Sequence, residues 1–146
     1  MKTTFGRIFA IATIGLVAAC ALASTASAQN AFRGTFTLPS DVQWGSAKLP
    51  AGDYNISMKS AGVPALIVLE GPNGGTYVVT SSTSKSDVEA PSCLRIEQRG
   101  DTQFVREIYL APLQLRLHYF VPKQTKDELA KGPASTQQVL IAMAKN

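Results

Sequence analysis

The sequence predicts an all-β domain: an antiparallel β-sandwich, immunoglobulin-like or transthyretin-like, with a small β-barrel as the alternative. Three observations lead there. After the first thirty or so residues the chain breaks into short segments in which apolar and polar side chains alternate at period two. Such alternation marks a strand with one buried face. Clusters of Gly, Pro, Asn and Asp separate these segments, so that about seven to nine short strands fit the chain. One segment alone, near 126–131, carries the end signals of a helix, and it is short.

The first 28 residues stand apart. Lys2 and Arg7 give a positive start, no acidic residue precedes Asp41, and Ile8 to Leu22 is apolar except for Thr13 and Gly15. Ala26-Ser27-Ala28 places small residues at the −3 and −1 positions of a signal cleavage site between Ala28 and Gln29. An apolar run of about 15 residues is shorter than the roughly 20 that a permanent span needs, so no membrane span is expected. A second reading uses Val17-Ala18-Ala19-Cys20, which resembles a bacterial lipobox and would place a lipid on Cys20. The chain stays apolar beyond Cys20 and runs directly into the Ala-Ser-Ala site, which favours removal over a lipid anchor. The expected organisation is therefore a signal peptide, 1–28, and a single all-β domain, 29–146. Its expected location is secreted or periplasmic, with a form lipid-anchored to the envelope as the alternative.

The strands follow in order. Phe32, Gly34, Phe36 and Leu38 fall on one side of an opening strand, against Arg33, Thr35 and Thr37. Val42 and Trp44 mark a short second element. Pro50-Ala51-Gly52-Asp53 forms a turn, because Pro sets φ and Gly supplies a positive one. It feeds a strand in which Tyr54, Ile56 and Met58 alternate with Asn55 and Ser57. Pro64 to Glu70 is a continuous apolar run, too short for a typical helix and rich in branched residues, which predicts a central strand. Gly71 to Gly75 contains Asn73-Gly74 and turns the chain into the clearest hairpin.

Ser81 to Pro91 is polar and is expected to be a loop. A second hairpin joins Cys93–Arg99 to Phe104–Leu110 around Gly100-Asp101, with its register open. A two-residue loop sets Ile96 opposite Val105; a three-residue loop sets it opposite Phe104. Leu113, Leu115, Leu117, Tyr119 and Val121 then alternate with Gln114, Arg116, His118 and Phe120 until Pro122 ends the strand. Thr125 and Glu128 have the spacing of a capping box, Gly132-Pro133 supplies the stop, and Leu129 is the expected anchor. Val139, Ile141 and Met143 share one side of a final strand.

Removing 28 residues from 146 leaves 118, one domain's worth. Without Lys2 and Arg7 there remain 12 basic and 10 acidic side chains, a net charge of +2 with no block of one sign. Nucleic acid is therefore not an expected partner. Cys93 is the one cysteine of this part, so a fold without disulfides must rest on its apolar core. Around 25 buried apolar side chains at ~1.5–3 kcal/mol each supply a gross term large enough for that.

Signals for chemistry are sparse, and neither catalytic residue nor cofactor is assigned. His118 is the single histidine and falls on the polar side of its strand. A Cys93–His118 couple has the residue types for nucleophile and base, but Cys93 is at no predicted helix start, where a thiolate is favoured. One His and one Cys do not make a zinc site, and Asp41, Asp53, Asp87, Asp101 and Asp127 are scattered singly rather than in a calcium loop. Arg99-Gly100-Asp101 spells an integrin tripeptide but suits a tight turn. Asn55-Ile56-Ser57 spells a glycosylation sequon inside a predicted strand. Trp44, beside Gly45, is either a platform for ligand contact or a plug between the sheets.

The segment Leu49-Pro50-Ala51-Gly52-Asp53-Tyr54, behind a signal peptide and an opening strand that ends in Pro39, resembles an uncharacterised family of small secreted bacterial β-proteins. The resemblance covers about 30 residues and implies an exported β-domain; the family brings no activity or site residue with it. The reading that results is a non-catalytic secreted or envelope domain that binds a protein, a glycan or a surface. A small hydrolase is one alternative and requires a pair among Cys93, His118, Asp53, Glu97 and Glu107 to converge in a pocket. A lipid-anchored structural subunit of the envelope is the other.

Overall fold

The computed structural model describes residues 31–130 and 132–144; the expected cleavage site at Ala28 and Gln29, and Cys20, lie outside them. Among these residues twelve strands form: β1 Phe32–Leu38, β2 Val42–Trp44, β3 Ala47–Leu49, β4 Gly52–Met58, β5 Leu66–Gly71, β6 Gly74–Val79, β7 Ser82–Lys85, β8 Cys93–Arg99, β9 Thr102–Leu110, β10 Leu115–His118, β11 Ser135–Leu140 and β12 Ala142–Met143. Among the described residues one α-helix, α1 Lys126–Ala130, and one 3-10 turn, Ala111–Leu113, interrupt them.

The strands make two sheets. The first runs β12-β1-β4-β5-β6; the second runs β11-β8-β9-β10-β7, with the β2–β3 hairpin attached to β9. That attachment, Gln43 opposite Phe104, is the one parallel pairing among the described residues. The sheets pack face to face and do not close into a barrel, so the fold is a β-sandwich. Phe32, Phe36, Ile56, Met58, Ile67 and Leu69 from the first sheet meet Leu94, Ile96, Val105, Ile108 and Leu117 from the second. Alternation does this work: in β1 every second side chain is buried, and those between face solvent.

The hairpin of β8 and β9 takes the two-residue loop, with Ile96 opposite Val105 and Arg99 opposite Thr102. A β-bulge then follows between Arg95 and Ile96, where Arg106 is the extra residue on β9 and Arg95 faces Glu107. The bulge is needed because Val105 and Ile108, both buried, are three residues apart; one residue must drop out of step to keep both inward.

Five expectations change. The strand expected from Leu113 to Val121 is reduced to β10, because Ala111–Leu113 forms a 3-10 turn and Gln114 takes a left-handed φ of 47 that breaks the alternation. Ser82–Lys85 is an outer strand on β10, with Ser84 opposite Arg116, where a loop was expected; backbone pairing to an open edge tolerates its polar side chains. Ala47–Leu49 adds a strand that folds back on β2 through Gly45, at φ 59. The capping box forms, with Thr125 N donating to Glu128 Oε2 at 2.9 Å, but Leu129 is mostly exposed and anchors nothing. The final strand is split at buried Ile141, whose N–H bonds Ser92 O at 2.8 Å, so β11 pairs with β8 and β12 with β1.

Gly71 is required by close approach. A Cβ there would lie 2.1 Å from Cε1 of Tyr54. That ring is stacked on Phe36 at 5.5 Å and its hydroxyl donates to Pro50 O at 2.9 Å, so it has little room to yield. Gly71→Ala is expected to cost about 1–3 kcal/mol, read as a lower urea midpoint at unchanged slope; a midpoint equal to the parent's would refute the packing argument.

Candidate functional site

Trp44 is fully buried, 6.1 Å from Phe36 and 5.3 Å edge-on from Tyr119 between ring centroids. It is the plug between the sheets, and the platform reading is corrected: β2 lies at the sandwich rim with Val42 and Trp44 turned inward. Trp44 Nε1 and Tyr119 Oη are sealed from solvent and neither reaches hydrogen-bond geometry. Burial drives the Tyr119 phenol far above its usual range, and the nearby indole offsets little of that.

The chemistry-bearing residues gather instead on the outer side of the second sheet. With Leu94 and Ile96 inward, period two turns Cys93, Arg95, Glu97 and Arg99 of β8 outward. The bulge brings Arg106 and Glu107 of β9 to the same side, and β10 adds Arg116 and His118. Glu97 accepts from Arg99 Nε at 2.7 Å and Arg106 Nη1 at 2.6 Å. Glu107 accepts from Arg116 Nη1 at 2.5 Å, with Arg95 Nη1 at 3.7 Å and His118 Nδ1 at 3.6 Å. His118 Nε2 lies 2.9 Å from Ser84 Oγ. Arg116 also stacks over Tyr109, and Arg99 over Phe104.

Burial acts to raise the Glu97 carboxyl, but hydrogen bonds and charge from Arg99 and Arg106 outweigh it and hold the group below its ordinary value. Burial pushes the Cys93 thiol up, against the pull of Arg95 and Arg116. Its thiol is thus protonated at neutral pH and is a poor nucleophile.

Of the five residues named for a hydrolase, His118 and Glu107 meet, Cys93 and Glu97 share their face, and Asp53 belongs to the other sheet. Ser84, His118 and Glu107 stand in hydroxyl–imidazole–carboxylate order. However, 3.6 Å is too long for a hydrogen bond, and Glu107 is already engaged by Arg116. Ser84 is exposed on an outer strand and does not line the cavity that His118 lines. Arg99 of the Arg-Gly-Asp tripeptide is folded back on Glu97 and donates to Pro122 O, while Gly100 makes the turn at φ 56. Asn55 sits inside β4, opposite Thr35.

A second feature lies on the outer side of the first sheet. Leu66, Tyr77 and Val79 are 46%, 67% and 57% exposed. They adjoin one another because Leu66 faces Val79 and Val68 faces Tyr77 across β5 and β6. The continuous apolar run of β5 is buried on one side only, at Ile67 and Leu69. A groove of about 450 Å³ crosses the far part of the same sheet, lined by Thr35, Thr37, Asp53, Asn55 and Leu140 among others. Among the described residues no three of His, Cys, Asp and Glu come together as metal ligands, and no helix is long and apolar enough to cross a membrane.

Comparison of the chain with protein-family models, curated proteins and solved structures returns no match.

Proposed function

We propose that this chain is a non-catalytic exported domain that binds a protein partner by taking an extended segment of it onto β6. The observation that carries the reading is an unprotected sheet edge beside an apolar patch. β6 pairs with β5 alone, and its sequence, Gly74-Gly75-Thr76-Tyr77-Val78-Val79, contains neither charge nor proline. Proteins ordinarily blunt such edges with lysine, proline or a bulge. The other outer strands are less inviting: β7 carries Lys85, β12 is two residues long, and β11 displays Ser, Thr and Gln along most of its length. An added strand would satisfy the open backbone of β6 and cover Tyr77 and Val79 with its own side chains.

The outer face of the second sheet supports the non-catalytic half of the reading. Glu97 and Glu107 are committed to guanidinium groups, and burial keeps the Cys93 thiol protonated. Export rests on the composition of residues 1–28.

A photo-crosslinking residue at position 77, in the native envelope, is expected to give an adduct with a different protein; the same residue at Thr35 is expected to give none. Val79→Lys is expected to cut the adduct at least tenfold while changing stability by no more than about 0.5 kcal/mol. No adduct, an equal adduct at position 35, or an adduct with a second copy of this chain would each refute the proposal.

A further inference from the structure

The outer face of the second sheet carries an excess of positive charge. Four of the five arginines in residues 29–146 lie there, Arg95, Arg99, Arg106 and Arg116, against two carboxylates. Glu97 pairs with Arg99 and Arg106, and Glu107 with Arg116 and Arg95, so four guanidinium charges meet two carboxylate charges and the face keeps a surplus of two. The most open of the four is Arg106, whose side chain is 54% exposed. Among the described residues its side chain makes one hydrogen bond, from Nη1 to Glu97. The Nε–Nη2 edge, a planar pair of parallel donors, remains.

Arg106 lines a cavity of about 280 Å³ with Ser81, His118, Tyr119, Phe120 and Val121. Phe120 is 71% exposed. Burying a phenylalanine stabilises a fold by ~1.5–3 kcal/mol, and this one contributes little of that. It lines the same hollow as Arg106 instead. Ser81 Oγ uses its proton on His118 O, at 2.8 Å, which leaves its lone pairs to accept. His118 is held by Ser84 and faces Glu107, so it forms a wall of the hollow.

We infer that this hollow binds an acidic sugar, a pyranose bearing a carboxylate. The C–H face of the pyranose packs on Phe120, the carboxylate takes two parallel hydrogen bonds from the Nε–Nη2 edge of Arg106, and a sugar hydroxyl donates to Ser81. The surplus guanidinium charge, with Arg95 also exposed on that face, holds the neighbouring carboxylates of a uronate chain. Neutral sugars meet the ring but leave the guanidinium edge without a counter-charge. This site is independent of β6, so a Tyr77 or Val79 substitution leaves it intact.

Calorimetric titration of the secreted form with oligogalacturonate tests the inference, with maltooligosaccharide and dextran sulfate as the other two arms. Oligogalacturonate is expected to bind, to weaken as salt rises, and to bind at least tenfold more tightly than maltooligosaccharide. Phe120→Ala, at an exposed position with little role in folding, is expected to weaken binding about tenfold. Arg106→Lys, which keeps the charge and loses the two-donor edge, is expected to weaken it about threefold to tenfold. Equal binding of the neutral sugar, binding of dextran sulfate without oligogalacturonate, no binding of either, or an unchanged affinity in Phe120→Ala would each overturn the assignment.

Discussion

Trp44→Ala is expected to lower the stability of the sandwich by about 3–5 kcal/mol. The indole is fully buried where the β2–β3 hairpin caps the space between the sheets, and it touches Phe36 of one layer and Tyr119 of the other. Removing it leaves a cavity walled by residues from both layers, which cannot close without moving the sheets together. The loss corresponds to a fall of roughly 10–20 °C in the thermal midpoint of a domain this size. Trp44 is the single tryptophan, so the transition must be followed by far-ultraviolet circular dichroism rather than by indole emission. A loss under about 1 kcal/mol would mean that the hairpin is a loose rim and not part of the core.

Glu97→Gln is expected to cost about 3 kcal/mol near neutral pH, because it keeps the shape of the side chain and removes the counter-charge of two guanidinium groups. Arg99 is as deeply covered as Glu97 itself, with side chains 8% and 10% exposed, so its charge has no ready access to water. The sign of the pH dependence follows from the lowered carboxyl. A group whose folded-state pKa lies below its unfolded value of about 4.3 stabilises the fold fully above that value. Its contribution is lost as pH falls from there through the folded-state pKa. Urea unfolding of the parent should weaken across that acid window, and the Gln variant should lack this part of the decline, so that the two curves converge at low pH. Parallel curves would refute the ion-pair account.

The all-β fold was legible because its core obeys a simple period. Phe32, Phe36, Leu38, Ile56, Met58, Leu94 and Ile96 are buried where alternation places them. The bulge had a visible cause too: Val105 and Ile108 are spaced by three where a regular strand spaces them by two. What could not be read was anything set by edge position. Ser82-Thr83-Ser84-Lys85 has the composition of a loop and is a strand because β10 offers it a backbone partner. Leu66, Tyr77 and Val79 have the composition of a core and are exposed because the first sheet ends at β6.

The arginine face was hidden for a related reason. Arg95, Arg99, Arg106 and Arg116 are four to ten residues apart, and no charged block shows in the chain. Only the two-residue loop at Gly100-Asp101, the bulge at Arg106 and the register of β10 bring them onto one surface. Charge counted along a β-chain therefore understates charge counted across its sheets. Trp44 shows the opposite limit, since a tryptophan beside a glycine turn has the same local sequence whether it faces in or out.

The segment Ser135–Met143 hydrogen-bonds first to one layer and then, past Ile141, to the other. It works as a clasp between the two layers, because β11 is fastened to β8 and β12 to β1. β1 is paired with β4 on its other side, so the clasp covers an edge that would otherwise stay open. Peeling off that single stretch would bare a strand in each layer at once, so the two layers should lose their order together rather than one after the other.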